Sequence, residues 1–144
     1  MRKTWLAAGI TAVIIVAAAC GNNEINGQGS SDIPVEWVNA HIQKDQGKMV
    51  ELLQKEQTAL DPEDEPDNSV VIENYRLTEW KANDERYFYE IVYEHPEEKS
   101  TKTDRMEIVK TDSGWKRTQY GEVYNFDELV ADLEPKILKE LHEQ

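Results

Sequence analysis

From position 32 onward, apolar residues recur at helical spacing. Val35, Val38, Ile42, Met49, Leu52 and Leu53 fall near one face of a helical wheel, which predicts helix over 32–57. Asp32 is placed to cap it, and Pro34 falls in the first turn, where proline is tolerated. Residues 44–47 are polar and include glycine. The spacing therefore predicts one helix to about Gln43 and a second from Asp45 to Gln57, with Asp45 as its cap.

After a proline-rich acidic loop at 61–68 the pattern changes to a long stretch rich in β-branched and aromatic residues. Turn residues at Asn83 and Asp84, at 95–99 and at 112–114 divide it into strands over 69–81, 86–94, 101–111 and 115–124. Strands of about ten residues exceed the usual five or six and suggest a strongly curved antiparallel meander. A second helical stripe follows, with Leu129, Val130, Leu133, Ile137, Leu138 and Leu141. It predicts a C-terminal helix over 126–142, opened by the capping-box spacing of Asn125 and Glu128 and kinked or split at Pro135. The fold class is α+β: two N-terminal helices packed on a curved four-stranded antiparallel sheet, plus a C-terminal helix.

The strand from Tyr87 to Tyr93 is apolar or aromatic on both faces except at Glu90. Such a strand is covered twice. The N-terminal helices would cover one side. The C-terminal helix, a protein partner or a second copy of the chain would cover the other.

The first twenty residues follow another rule. Arg2 and Lys3 supply a positive start, an apolar run begins at Trp5, and Ala17-Ala18-Ala19 leads into Cys20, the only cysteine. Charge, apolar core and small residues in that order form a secretion signal. This segment resembles the lipobox of bacterial lipoproteins, whose usual form is Leu-(Ala/Ser)-(Gly/Ala)-Cys, with Ala17 in the leucine place. The resemblance implies cleavage between Ala19 and Cys20 and a diacylglyceryl group on the Cys20 sulfur, for which a thiolate is the required nucleophile. Residues 1–19 would be the signal peptide, 20–31 the lipidated cysteine and a flexible tether, and 32–144 a single domain. The implied location is the outer face of the cell membrane, with lipid on Cys20 as the attachment. Two readings compete. Ordinary cleavage after Ala19 would leave a free thiol. An uncleaved span would have only 16 residues from Trp5 to Cys20, short of the roughly 20 needed to cross a bilayer.

Cleavage would leave 125 residues, enough for one core. It would remove two of the 16 cations and none of the 29 acids, for a net charge of −15. That charge argues against nucleic acid as a partner and against lying flat on anionic lipid. With one cysteine, no intramolecular disulfide forms. The stretch 21–31, rich in Gly, Asn and Ser, predicts a flexible spacer reaching about 20 Å.

The stretch 34–45, followed by Met49-Val50-Glu51-Leu52-Leu53, then by Tyr87–Tyr93 and the pair Gly114-Trp115, is similar to the nuclear-transport-factor-two-like (cystatin-like cone) superfamily. The likeness covers roughly 34–124. It implies helices packed in the concavity of the sheet, and some enzymes of that fold use an Asp or His base in an aromatic pocket. A generic meander with helices on one face and no pocket fits the same pattern.

Candidate chemistry is sparse. The acids Asp61, Glu63, Asp64, Glu65 and Asp67 could attract a hard cation. Tested as an EF-hand from Asp61, the sixth position is Pro66 and the twelfth Ile72, where glycine and glutamate are needed. His41, His95 and His142 lie far apart, so zinc has no ligand spacing. His41 can pair with Asp45 on a helix surface, and His142 suits a helix C-terminus. No serine sits in a nucleophile elbow. No metal, cofactor or catalytic residue is assigned. Tyr75, Trp80, Tyr87, Tyr89, Tyr93, Trp115 and Tyr120 could line a ligand or partner surface, or simply be core. The function expected is a non-enzymatic binding or scaffolding module. A cone-fold enzyme with a pocket acid or histidine is the alternative, and a transporter's solute-capturing lipoprotein is disfavoured by length.

Overall fold

A computed structural model describes residues 23–142. The fold is α+β, with α1 (Asp32–Ile42), α2 (Gln46–Leu52), β1 (Tyr75–Asn83), β2 (Arg86–Glu94), β3 (Thr101–Thr111), β4 (Gly114–Arg117), α3 (Phe126–Val130) and β5 (Pro135–Lys139). One antiparallel sheet of five strands runs in the order β4-β3-β2-β1-β5.

The two helices form where the apolar spacing places them. Asp32 is the first helical residue and not the cap. Its carboxylate reaches back to accept the Gly29 N–H at 2.8 Å. Lys44 turns left-handed (φ 54°) between the helices, and Asp45 caps α2 by accepting the Lys48 N–H at 2.9 Å. The expected extension of α2 to Gln57 is corrected. Leu53 is extended and buried, it bridges Arg117 in parallel, and the Gln54 N–H is donated to the Arg117 carbonyl at 2.8 Å. Covering the open β4 edge in this way satisfies backbone groups that a longer helix would leave unpaired.

β2 and β3 occupy the expected ranges. β1 starts six residues later than expected, because residues before it spend their backbone bonds on α1. The Ile72 N–H goes to Asn39 Oδ1 and the Val70 carbonyl accepts from Gln43 Nε2, both at 2.9 Å. β4 ends at Arg117 instead of 124, and the chain leaves the sheet there to wrap the buried guanidinium described below.

The C-terminal helix is the largest correction. Only 126–130 is helical, and Pro135–Lys139 forms a fifth strand on β1, with Pro135 opposite Trp80 and Ile137 opposite Thr78. Proline has no N–H to continue a helix but is tolerated at the first residue of an edge strand.

The sheet buries both faces. On one, α1 and α2 cover Leu77, Tyr87, Tyr89, Ile91, Met106, Ile108 and Trp115. On the other, Phe126 and Val130 of α3 close over Phe88 and the partly buried Trp80. Phe126 meets both rings edge-on, with centroids 5.4 Å from Trp80 and 6.0 Å from Phe88. The twice-covered β2 is therefore satisfied by the chain's own helices. Ion pairs Arg86–Glu107 and Arg105–Glu90 flank Phe88 on this outer face.

Candidate functional site

Two polar clusters and one groove hold the side chains that could act. The first cluster is centred on Arg117, which alternation along β4 turns inward beside Trp115. Its side chain is 2% exposed. The guanidinium donates to both Asp104 carboxylate oxygens at 2.7 and 3.3 Å. It also donates to the Gln119, Tyr120 and Gly121 carbonyls at 2.7, 3.0 and 3.0 Å. It lies over the Trp37 ring, 4.4 Å from its centroid, and Tyr120 meets Trp37 edge-on at 5.6 Å. A hollow of about 270 Å³ beside it is lined in part by His41, Tyr93, Thr103 and Glu122. The fork geometry of arginine suits this double duty of clamping a carboxylate and gathering carbonyls. Every donor direction ends on the protein itself, so the cluster is a fold-organising clamp.

The second cluster fastens the N-terminal arm. Ser30 is fully buried and bonds the Tyr89 hydroxyl at 2.7 Å, and Tyr89 donates to Glu79 at 2.6 Å. Burial first, then the bond to Glu79, pushes the Tyr89 hydroxyl far above its ordinary range. Asn23 Nδ2 donates to Ser30 Oγ at 2.7 Å, and Trp115 Nε1 donates to the Asn23 carbonyl. Residues 25–28 close a tight hairpin turn, with Ile25 N–H to Gln28 O at 2.8 Å and the reverse bond at 3.1 Å. The expectation of a flexible spacer through 31 is corrected for residues 23–31, which are built into the body by these bonds. Ala19 and Cys20, where cleavage and lipidation are expected, lie outside the described residues.

The groove, about 530 Å³, runs between the start of α1 and the β1–β5 pair. It is lined by Asp32, Val35, Glu36, Tyr75 and Leu138, among others. Lys139 closes it by laying its ammonium 3.9 Å from the Tyr75 ring centroid and donating to the Glu73 carbonyl at 3.0 Å. Burial, with Asp32 adding to it, raises the Tyr75 hydroxyl pKa.

The expected aromatic surface does not assemble. Tyr87, Tyr89, Tyr93 and Trp115 are 7% exposed or less and belong to the core, because alternation on β2 turns the three tyrosines under α1 and α2. Trp80 is taken up by Phe126. Tyr75 reaches the groove, and Tyr120 is 39% exposed at its edge contact with Trp37. The acidic loop docks on the helix ends: Asp64 accepts the Gln46 N–H of α2 at 3.1 Å and the Asp67 N–H goes to the carbonyl of Gln43, which caps α1, at 2.8 Å. Among the described residues no group of three or more His, Asp or Glu converges as metal ligands. Asp45 spends its carboxylate on the α2 cap and not on His41. His95 holds its own turn by accepting the Glu97 and Glu98 N–H groups, and the His142 N–H is donated to Asn74 Oδ1 after β5.

Sequence reading missed Arg117, Ser30 and Asn23. A signal for Arg117 was present, since period-two alternation puts it on the same face as Trp115. Among the described residues no helix is long and apolar enough to cross a membrane. No protein-family model, curated protein or solved structure matches the chain.

Proposed function

We propose that this chain is a lipid-anchored extracytoplasmic protein whose body is a non-enzymatic binding or scaffolding module. The observation that carries the reading is the order of Arg2-Lys3, an apolar run and Ala17-Ala18-Ala19-Cys20. The anchored species would keep the membrane through lipid on Cys20. Two acyl chains give stable attachment where one gives only marginal binding.

The body supports a scaffolding role through what it offers outward. Both sheet faces are filled by the chain's own side chains, and the polar cluster around Arg117 is consumed internally. A second chain would therefore meet the molecule at the β5 side, where Ile137 is 55% and Leu138 36% exposed. The cone-superfamily likeness remains part of this proposal at the level of helices over an antiparallel sheet.

The test is metabolic. Cells expressing the full chain are fed a radiolabelled or alkyne fatty acid, beside a Cys20→Ala variant. The native chain should take up label and shorten on processing, and the variant should do neither. Unchanged labelling of Cys20→Ala would sink the proposal.

A further inference from the structure

We infer that the end of the sheet carrying the β1–β2 and β3–β4 turns is the surface that lies against the phospholipid headgroups of the anchoring membrane. This inference rests on lipidation at Cys20. It adds an orientation, which that reading does not contain.

The argument begins with chain length. Three residue steps separate Cys20 from Asn23, and a fully extended chain spans at most about 3.6 Å per residue. The Cys20 backbone therefore lies within about 11 Å of Asn23 whatever path it takes. Asn23 is not free to wander. Its carbonyl accepts from Trp115, its side-chain amide donates to Ser30, and Ile25 beside it packs against the core. Asn23, Glu24 and Ile25 line one hollow with Lys81, Asp84 and Lys110. Lys81 and Asp84 belong to the β1–β2 turn region, and Lys110 precedes the β3–β4 turn at Asp112 and Ser113. The anchor thus leaves the body at the end formed by these two hairpin tips.

The opposite end lies one strand length away. β2 has nine residues, and at about 3.3 Å each they carry the chain roughly 30 Å to the turn at 95–100. With an 11 Å leash, the body cannot turn that far end to the lipid while its near end stays fastened to Asn23.

The acidic loop follows the same division. Around the near end Glu24, Asp84, Glu85 and Asp112 stand among Lys81, Arg86 and Lys110, with Lys81 bridging Asp84 at 2.8 Å and Arg86 paired with Glu107, and the start of β5 opposite Trp80 brings Asp132 and Glu134 to the same end. The far end gathers Glu73, Glu94, Glu97 and Glu98 beside Lys99, Lys102 and Lys139, and Lys102 pairs with Glu98 at 2.8 Å. It also receives the acidic loop 61–68, tied through Asp67 to Gln43 at the end of α1. His41, in the last turn of α1, lines the same hollow as Tyr93 and Thr103, which places that helix end beside the far end of the sheet. The five acids of the 61–68 loop therefore stand away from the anchor, clear of the negative charge of an anionic bilayer.

The experiment uses the full-length lipoprotein purified in its lipidated form and reconstituted into phosphatidylethanolamine–phosphatidylglycerol vesicles. Because Cys20 carries lipid on its sulfur, an introduced cysteine is the one free thiol. Ser113→Cys and Glu97→Cys place a fluorophore on exposed turns at the near and far ends. Lipids bearing a headgroup nitroxide then report proximity. Quenching at position 113 at least threefold stronger than at 97, in protein that floats with the vesicles, is the expected result. Equal quenching or the reverse order, with flotation intact, overturns the orientation and leaves the anchor standing. Loss of flotation overturns the anchor and the orientation with it.

Discussion

Replacing Arg117 with leucine removes one partner of a buried ion pair and all the hydrogen bonds that turn residues 119–121 over the sheet. Breaking such a pair costs about 3–5 kcal/mol when the remaining charge stays buried. Asp104 keeps 20% of its side chain exposed, and residues 119–121 lie near the surface, so both can recover water and the loss falls toward the lower figure. The lost stack on Trp37 at 4.4 Å works the other way, by about 1–2 kcal/mol for a desolvated cation–π contact. The expected destabilisation is about 3–4 kcal/mol. Arg117→Lys should recover only part of it, because a single ammonium cannot span a carboxylate and three carbonyls. Asp104→Asn leaves the carbonyl bonds and the stack intact and should cost about 1.5–3 kcal/mol. The two sites share one contact, so Arg117→Leu with Asp104→Asn should cost about 2 kcal/mol less than the sum of the single changes. Urea unfolding of the chain from residue 21, followed by tryptophan fluorescence, reads these differences. With a slope near 2 kcal/mol per molar, the Arg117→Leu midpoint falls by about 1.5–2 M at unchanged slope. A loss below about 1 kcal/mol, or additive single changes, would refute the clamp.

Two other expectations follow from close contacts and from a buried hydroxyl. Alanine in place of a helical glycine normally stabilises, by up to about 1 kcal/mol, and Gly47 lies in the first turn of α2. At Gly47 the new Cβ would stand 2.5 Å from the Asp64 carbonyl oxygen and 3.0 Å from that of Pro62, so Gly47→Ala should destabilise by about 1–3 kcal/mol in thermal unfolding; a gain in stability would show that the acidic loop does not dock on α2. Among the six tyrosines, Tyr89 should stay neutral in an absorbance titration until the fold opens, since burial and Glu79 raise its pKa above the ordinary 10.0. A folded-state pKa raised above the unfolded value makes its contribution complete below about pH 10 and progressively lost as pH climbs further. Tyr89→Phe should abolish this late, unfolding-linked step and cost about 1–2 kcal/mol at neutral pH by leaving Ser30 and Glu79 short of a partner. Ordinary titration of all six tyrosines in the folded protein would refute the assignment.

Much of the fold was legible wherever one local rule acted alone. β2 and β3 are rich in β-branched and aromatic residues and bounded by turn residues, and they begin and end where those turn residues say. Asp45 caps α2 because a short polar side chain before an apolar helical stripe has few better uses. The errors fall where long-range bonds compete with local pattern. Residues 69–74 have the composition of a strand, but Asn39 and Gln43 on α1 take the backbone groups that a strand partner would need. Residues 118–124 read as the rest of β4, but one buried guanidinium offers their carbonyls a stronger set of donors than an edge strand does. The C-terminal stripe 129–141 has helical spacing and becomes strand beyond Glu134, because Pro135 ends any helix that reaches it and the open edge of β1 offers bonds in return. Of the candidate site residues, the sequence identifies the aromatics but cannot say which way β2 faces. That choice turns Tyr87, Tyr89 and Tyr93 from a surface into a core.

The N-terminal arm shows the limit of reading flexibility from composition. Gly, Asn, Ser and Gln between 21 and 31 satisfy the description of a spacer, and the same residues satisfy the description of a turn. Asn26 and Gly27 adopt φ values of 54° and 80°. Two successive positive φ angles are the requirement of the tightest hairpin turn, and Asn-Gly is the pair that meets it at least steric cost. Ser30 is small enough to be buried and polar enough to complete the Tyr89 bond, while Asn23 supplies one donor and one acceptor to Ser30 and Trp115. Asn23, Asn26, Gly27 and Ser30 are therefore each used for a conformation or a bond that larger apolar residues cannot provide. The consequence reaches the functional proposal. An arm fastened at Asn23 shortens the leash between Cys20 and the body from a spacer of eleven residues to three residue steps, so lipid on Cys20 would hold one chosen end of the sheet at the bilayer instead of letting the body turn freely above it.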